Sequence, residues 1–221
     1  MLGRMVSLLV VTLMMSACAE KAPLGHDKLV YNAVGTSDSL GVGAFPLADG
    51  YTFRIQDELK DQGRNVALFH IGIPGANTDL IANAAKTAAD RGVSAELATI
   101  WVGANDLVNG VPVETFALDL HHLLVAVQED MEAYVILANI PSLPDLPSFI
   151  EAPLPEVTEE RVAKFNTVIK NQATARGIPI VDLSEAGIDG HLVNDFDGLH
   201  PDDDGHERLA KLFMNAIRPA L

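Results

Sequence analysis

The chain has 221 residues, 48% of them apolar and 20% charged, enough for one domain with a sizeable core and too apolar for a disordered polymer. Acidic residues outnumber basic ones 30 to 15, a formal net charge of −15; a surface that acidic repels phosphate backbones and argues against nucleic acid as a partner. The single cysteine, Cys18, excludes an intramolecular disulfide framework and any multi-cysteine metal or iron–sulfur site.

The chain opens with one early positive charge, Arg4, then an apolar run from Met5 to Met15 and small residues up to Cys18. That run is far shorter than the ~20 residues a membrane-spanning helix needs and suits the hydrophobic region of a secretory signal peptide. The string Met15-Ser16-Ala17-Cys18 resembles the lipobox of bacterial lipoproteins, with Met15 where leucine is usual. The resemblance implies cleavage before Cys18 and lipidation of its sulfur. Residues 1–17 are then a signal peptide, 18–27 a lipidated tether and 28–221 the folded domain. Cleavage leaves 204 residues and removes Arg4, so the charge becomes −16. The protein is expected to be exported and membrane-anchored in the cell envelope, and Ala19 resembles the signal for release to the outer membrane. The competing reading is an ordinary signal peptide that happens to end near a cysteine.

After the tether, strand-like apolar runs alternate with segments of helical period. Leu29–Val34, Asn65–Ile71, Leu97–Val102, Ala133–Ile140 and Ile178–Leu183 are short, apolar and bounded by Gly, Pro or Asn. Phe116, Leu120, Leu123, Leu124, Val127 and Met131 fall on one helical face, as do Val162, Phe165 and Ile169, and Leu209, Leu212, Phe213 and Ile217. Five strands alternating with helices predict a single α/β domain whose parallel sheet is covered on both faces. Ligands of such sheets bind beyond the carboxyl ends of the strands. The segment Pro141–Pro155, with five prolines, reads as an extended loop.

The polar residues that such a scaffold does not require stand where a ligand would bind. Gly35-Thr36-Ser37-Asp38-Ser39-Leu40-Gly41-Val42-Gly43 follows the first strand. It is not a G-x-S-x-G elbow, because Ser39 occupies the place of the second glycine. Gly72-Ile73-Pro74-Gly75-Ala76-Asn77-Thr78 follows the second strand and Gly103-Ala104-Asn105-Asp106 the third, while Asp197-Gly198-Leu199-His200-Pro201 precedes the last helix. An Asp and a His three apart in a turn can meet, so the carboxylate fixes the imidazole tautomer. A serine, an oriented base and amide donors are the parts of an acyl-transfer site.

These four blocks, in this order, resemble the SGNH hydrolases, also called GDSL esterases and lipases. The first block departs from G-D-S-x-x-x-G at Thr36, while Gly35, Ser37, Gly41 and Gly43 fit. The resemblance implies a flavodoxin-like three-layer α/β/α sandwich with a five-stranded parallel sheet. It also implies Ser37 as nucleophile, His200 as base and Asp197 as its partner, with Ser37, Gly75 and Asn105 supplying the oxyanion hole. Ser39, in an Asp-Ser-Leu string, is the alternative nucleophile. No metal or organic cofactor is called for. The expected substrate is a small-molecule or lipid ester or thioester, and no protein partner is predicted. The alternatives are a carbohydrate O-acetylesterase of the same fold and a non-catalytic surface lipoprotein.

Other candidates have blander readings. His121 and His122 suit a solvated helix face, His70 a satisfied edge histidine, and His26 carries no signal. Asp202, Asp203 and Asp204 suit the first turn of a helix, where negative charge is stabilising. Asp38 and Asp106 read as turn braces. The apolar residues of Pro141–Pro155 either wall an acyl pocket or pack over the sheet edge.

Overall fold

A computed structural model describes Leu24, residues 28–187 and residues 190–221. The expected signal peptide, Cys18, His26 and all of the tether except Leu24 lie outside the described residues.

Five strands, β1 (Leu29–Gly35), β2 (Val66–Gly72), β3 (Leu97–Trp101), β4 (Tyr134–Ala138) and β5 (Ile180–Val181), form one parallel sheet in the order β2-β1-β3-β4-β5. This is the doubly wound, flavodoxin-like order. Side chains alternate between the two faces. Tyr31, Ala33, Leu97 and Ile136 enter one core, while Val34, Ala98, Ile100 and Leu137 enter the other. Helices α1 (Tyr51–Asp61) and α7 (Asp203–Ile217) cover the first face, and α2 (Thr78–Asp90), α4 (Val113–Leu124) and α6 (Glu159–Arg176) the second. Two short helices, α3 (Ala104–Val108) and α5 (Pro147–Glu151), complete the set.

The predicted helical stripes are the buried ones. Phe116, Leu120, Leu123, Leu124, Val127 and Met131 are all fully buried, the last three across a π-type turn, Val125–Asp130, that continues α4. Phe116 stacks on Phe165 of α6 with ring centres 4.4 Å apart, which joins the helices of that layer.

Two expectations change in detail. The last strand has two residues where six were expected, because Asn139 intercepts the backbone beyond it. Its Oδ1 accepts the N–H of Leu183 at 2.6 Å and of Ser184 at 3.2 Å, which turns the chain away from the sheet. The proline-rich segment is not extended throughout. It holds a 3-10 turn, Leu143–Asp145, and then α5, with Pro147 at its first position, where the missing N–H costs nothing.

Candidate active site

The loops after β1, β2 and β3 converge where the strand order reverses, between β1 and β3. Ser37 begins a tight turn two residues beyond β1; its carbonyl accepts the N–H of Leu40 at 3.0 Å and of Val42 at 3.1 Å. Ser37 is 9% exposed and Ser39 only 1%. The Ser39 hydroxyl donates to the Thr36 carbonyl at 2.7 Å, and the Ser39 carbonyl accepts the Thr52 hydroxyl at 3.0 Å. Because that hydroxyl has one proton and gives it to Ser39, His70 Nε2, 3.1 Å from Thr52 Oγ1, is the donor to it. The candidates Ser39 and His70 therefore brace the turn from beneath, and Ser37 is the serine that faces His200.

The base arrives from the segment before α7. His200 Nδ1 lies 2.6 Å from Asp197 Oδ2, and His200 Nε2 lies 2.8 Å from Ser37 Oγ. A carboxylate opposite Nδ1 keeps the proton there, so Nε2 accepts the Ser37 hydroxyl. Asp197 Oδ1 accepts the N–H of Leu199 at 2.8 Å, the N–H of His200 at 3.0 Å and the side-chain amide of Asn194 at 3.1 Å. Burial pushes the Asp197 carboxyl up, but the bonds from His200 and Leu199 outweigh it and hold the group below its ordinary range.

The Asp197–His200 turn leans on the proline-rich segment. Ser148 donates its N–H to the Gly198 carbonyl at 3.1 Å. Gly198 has φ +61°, and a Cβ there would lie 2.8 Å from Pro147 Cβ, so no larger residue fits without displacing the turn. Gly43 performs the matching service on the serine side: a Cβ would stand 2.0 Å from the Pro201 carbonyl oxygen, which lets the loop after Ser37 pack directly on the His200-Pro201 backbone.

Asn105 lies in the first turn of α3, and its Nδ2 donates to the Ala76 carbonyl at 3.0 Å. One of its two amide protons is thereby committed and the other is spare. That bond ties the loop after β3 to the loop that holds Gly75. Asp106, buried beside it, accepts both the N–H and the hydroxyl of Thr78, at 3.0 and 2.8 Å, and so caps α2 as a turn brace. Burial raises the Asp106 carboxyl, with the Thr78 donors opposing.

Asp38 follows Ser37 directly. Burial pushes its carboxyl up to about 6, while the nearby His200 pulls the other way. Asp202 caps α7 by accepting the Gly205 N–H at 2.7 Å, with Asp203 and Asp204 in the first turn. Asp203 also accepts the Phe45 N–H at 2.8 Å. His121 and His122 lie on the far side of the second helix layer, beside a cleft of about 380 Å³ between α2 and α4 that Asp79, Asp119 and Asp130 also line. Leu143, Leu146 and Phe149 of the proline-rich segment pack into the core, whereas Ile150 is exposed.

Four residues near the site carry little or no signal in the sequence. Asn194 holds the Asp197 carboxylate and accepts the N–H of Phe196 and Asp197 at 3.0 and 3.1 Å. Its signal was an Asn three residues before the motif, in an Asx-turn context. His206 links α7 to the loop after Ser37 and had no signal beyond its residue type. Phe45 and Phe196, 89% and 97% exposed, donate their N–H groups to Asp203 and Asn194 and have no sequence signal of their own.

A serine relay at the carboxyl end of a flavodoxin-ordered sheet is the arrangement of the SGNH class of ester hydrolases. The sequence profile of the GDSL-like lipase/acylhydrolase family matches residues 33–208, and the chain belongs to that family. Among solved structures it is similar to TesA, with 20% identity, a TM-score of 0.72, and coverage of 87% of this chain and 99% of the other. It is similar also to the psychrotrophic esterase EstA from Pseudoalteromonas sp. (19% identity, TM-score 0.68, coverage 86% and 97%). A third is the lipase/acylhydrolase from Enterococcus faecalis (23% identity, TM-score 0.68, coverage 86% and 96%). At these identities the likeness shows the fold. No curated protein matches the sequence at significant similarity.

Proposed function

We propose that the protein hydrolyses carboxylic esters through an acyl-enzyme formed on Ser37, and that it does so outside the cytoplasm, tethered through a lipid on Cys18. The observation that carries the chemistry is the continuous chain Asp197–His200–Ser37, with links of 2.6 and 2.8 Å. His200 Nε2 takes the Ser37 proton as the oxygen attacks the acyl carbonyl, and Asp197 stabilises the imidazolium that forms. The oxyanion is met by the N–H of Ser37, the N–H of Gly75 and the spare Asn105 amide proton. His200 then protonates the leaving alcohol, and water, deprotonated by the same imidazole, releases the acid and restores Ser37.

The tethering half of the reading is supported by the leader and the lipobox-like string Met15–Cys18. Among the described residues no helix is long and apolar enough to cross a membrane.

The test is labelling of the purified protein with a fluorophosphonate probe, beside hydrolysis of p-nitrophenyl acetate, butyrate and octanoate. Labelling and turnover vanish in Ser37→Ala and persist in Ser39→Ala. Labelling that survives Ser37→Ala and is lost in Ser39→Ala overturns the assignment. Folded wild-type protein that neither labels nor hydrolyses any ester overturns the enzyme reading in favour of a surface lipoprotein.

A further inference from the structure

We propose that the tethered protein holds its catalytic face away from the bilayer in which Cys18 is anchored, so that it acts on esters dissolved in the aqueous phase and not on the lipid of its own membrane. The inference rests on the reading of Cys18 as the lipidated residue. It is carried by the place where Leu24 joins the body of the domain.

Leu24 is clamped to the body of the domain. It is buried in the core beside Leu29, its N–H donates to the Ala220 carbonyl at 3.0 Å, and its carbonyl accepts Arg64 Nη1 at 3.3 Å. The same guanidinium reaches the Leu221 carbonyl through Nη2 at 3.1 Å. Arg64 lies two residues before β2, and the Leu29 N–H meets the Asn65 carbonyl at 2.9 Å. Leu24 therefore sits at the amino-terminal end of the parallel sheet. Ser37, Gly75 and Asn105 stand beyond the carboxyl ends of β1, β2 and β3, and β1 alone, seven residues long, separates the two ends by about 20 Å at ~3.3 Å per residue.

The tether is too short to undo that polarity. Six residue steps separate Cys18 from Leu24, and fully extended they span at most ~20–22 Å. A domain of this size has a radius of gyration of about 16 Å, equivalent to a sphere of radius ~21 Å. For the catalytic face to touch the membrane, the tether would have to follow a quarter of the circumference of that sphere and then drop one radius to the bilayer plane, ~54 Å in all and more than twice its reach; a domain lying on its side takes up the whole reach, ~21 Å, and still holds the face off the bilayer. The attachment at Leu24 thus turns the amino-terminal end of the sheet to the bilayer and the serine to the water. Nearness of the anchor to lipid is therefore no argument for a lipid substrate.

The experiment uses the full chain extracted from membranes and reconstituted into phosphatidylcholine vesicles. The vesicles contain a fluorogenic ester lipid that the detergent-solubilised protein hydrolyses. It is compared with a variant carrying 60 Gly/Ser residues between Glu20 and Lys21, which gives a tether with an r.m.s. reach of about 45 Å. The longer tether is expected to raise hydrolysis of the host-bilayer ester about tenfold or more, because the site then samples the surface at high effective concentration. Hydrolysis of dissolved p-nitrophenyl butyrate stays equal in the two. Equal rates on the host-bilayer ester, with acyl mass confirmed on the Cys18 peptide, overturn the inference and leave the anchor standing. Absence of acyl mass on that peptide overturns the anchor, and the inference with it.

Discussion

His206 Nδ1 accepts the backbone N–H of Tyr51 at 3.1 Å, and this pins the start of α1 to α7 directly behind the site. The Nε2 proton goes to the Val42 carbonyl at 3.1 Å, so the neutral ring is held in one tautomer between the loop that follows Ser37 and the start of α1. The imidazole is fully buried and lies nearly parallel to the Tyr51 ring. Replacement by Phe preserves the stack and removes both bonds. We expect kcat to fall about ten- to a hundredfold, as small misplacements of reacting groups do, with KM little changed and partial recovery in His206→Asn.

The same residue makes stability depend on pH. Burial lowers the His206 pKa, so the unfolded chain takes up a proton that the folded one resists. The contribution is therefore present above the ordinary value of ~6.5 and is lost as pH falls through the lowered folded value. The difference in Tm between wild type and His206→Phe should narrow steadily from pH 7.5 to pH 5. A constant difference over that range removes His206 as the titrating group.

In the proposed mechanism Asn105 is the one oxyanion donor that a side chain supplies, and Asn105→Ala deletes it. Loss of such a donor typically costs about 2.7–4 kcal/mol of barrier, so turnover should drop ~100- to 1000-fold at nearly constant KM. Part of any stability change comes from the bond to the Ala76 carbonyl, and thermal melting of the variant separates the two effects. Near-normal turnover would refute the oxyanion role.

Asp38 behaves in the opposite sense to His206. Its carboxyl is raised to about 6 by burial, so the folded protein favours the protonated form. Stability from that form is present below the ordinary carboxylate value and is lost as pH rises toward and through about 6. Asp38→Asn has no such loss. Its Tm relative to wild type should rise between pH 4 and pH 6 and level off above; a flat comparison contradicts the burial argument.

Phe196 lies one residue before Asp197 and is 97% exposed, the kind of side chain that an acyl chain leaving water can cover. Phe196→Ser should raise KM for p-nitrophenyl octanoate about three- to tenfold, from ~1 kcal/mol of lost apolar contact. Acetate hydrolysis and Tm should stay close to wild type. An equal effect on acetate and octanoate would place the acyl chain elsewhere.

Much of this architecture is written in local chain chemistry. Apolar runs of strand length between Gly, Pro and Asn specify β1 to β4 within a residue or two, and the 3.6-residue stripes of α4, α6 and α7 name the side chains that became the core. The motif blocks, three after strands and one before α7, likewise single out Ser37, Asn105, Asp197 and His200 as candidates, and the folded chain brings Ser37, His200 and Asp197 into contact.

What the chain could not disclose locally depends on which loops meet. The glycine spacing of the first block favours Ser37 and leaves Ser39, two positions on, as an alternative; packing covers Ser39 with Thr36 and Thr52 and aims Ser37 at His200. Asn139 ends β5, Asn194 holds Asp197, and Arg64 grips Leu24 across 40 residues. Each is a hydrogen bond whose partner is chosen by tertiary proximity. The sequence by itself determined the sheet, its helical layers and the chemical class of the site, since hydrophobic periodicity and short motifs are properties of neighbouring residues. Which serine faces the base, and which end of the sheet the tether leaves from, were decided only by the folded structure, because burial and hydrogen-bond partnership exist only once distant segments have been brought together.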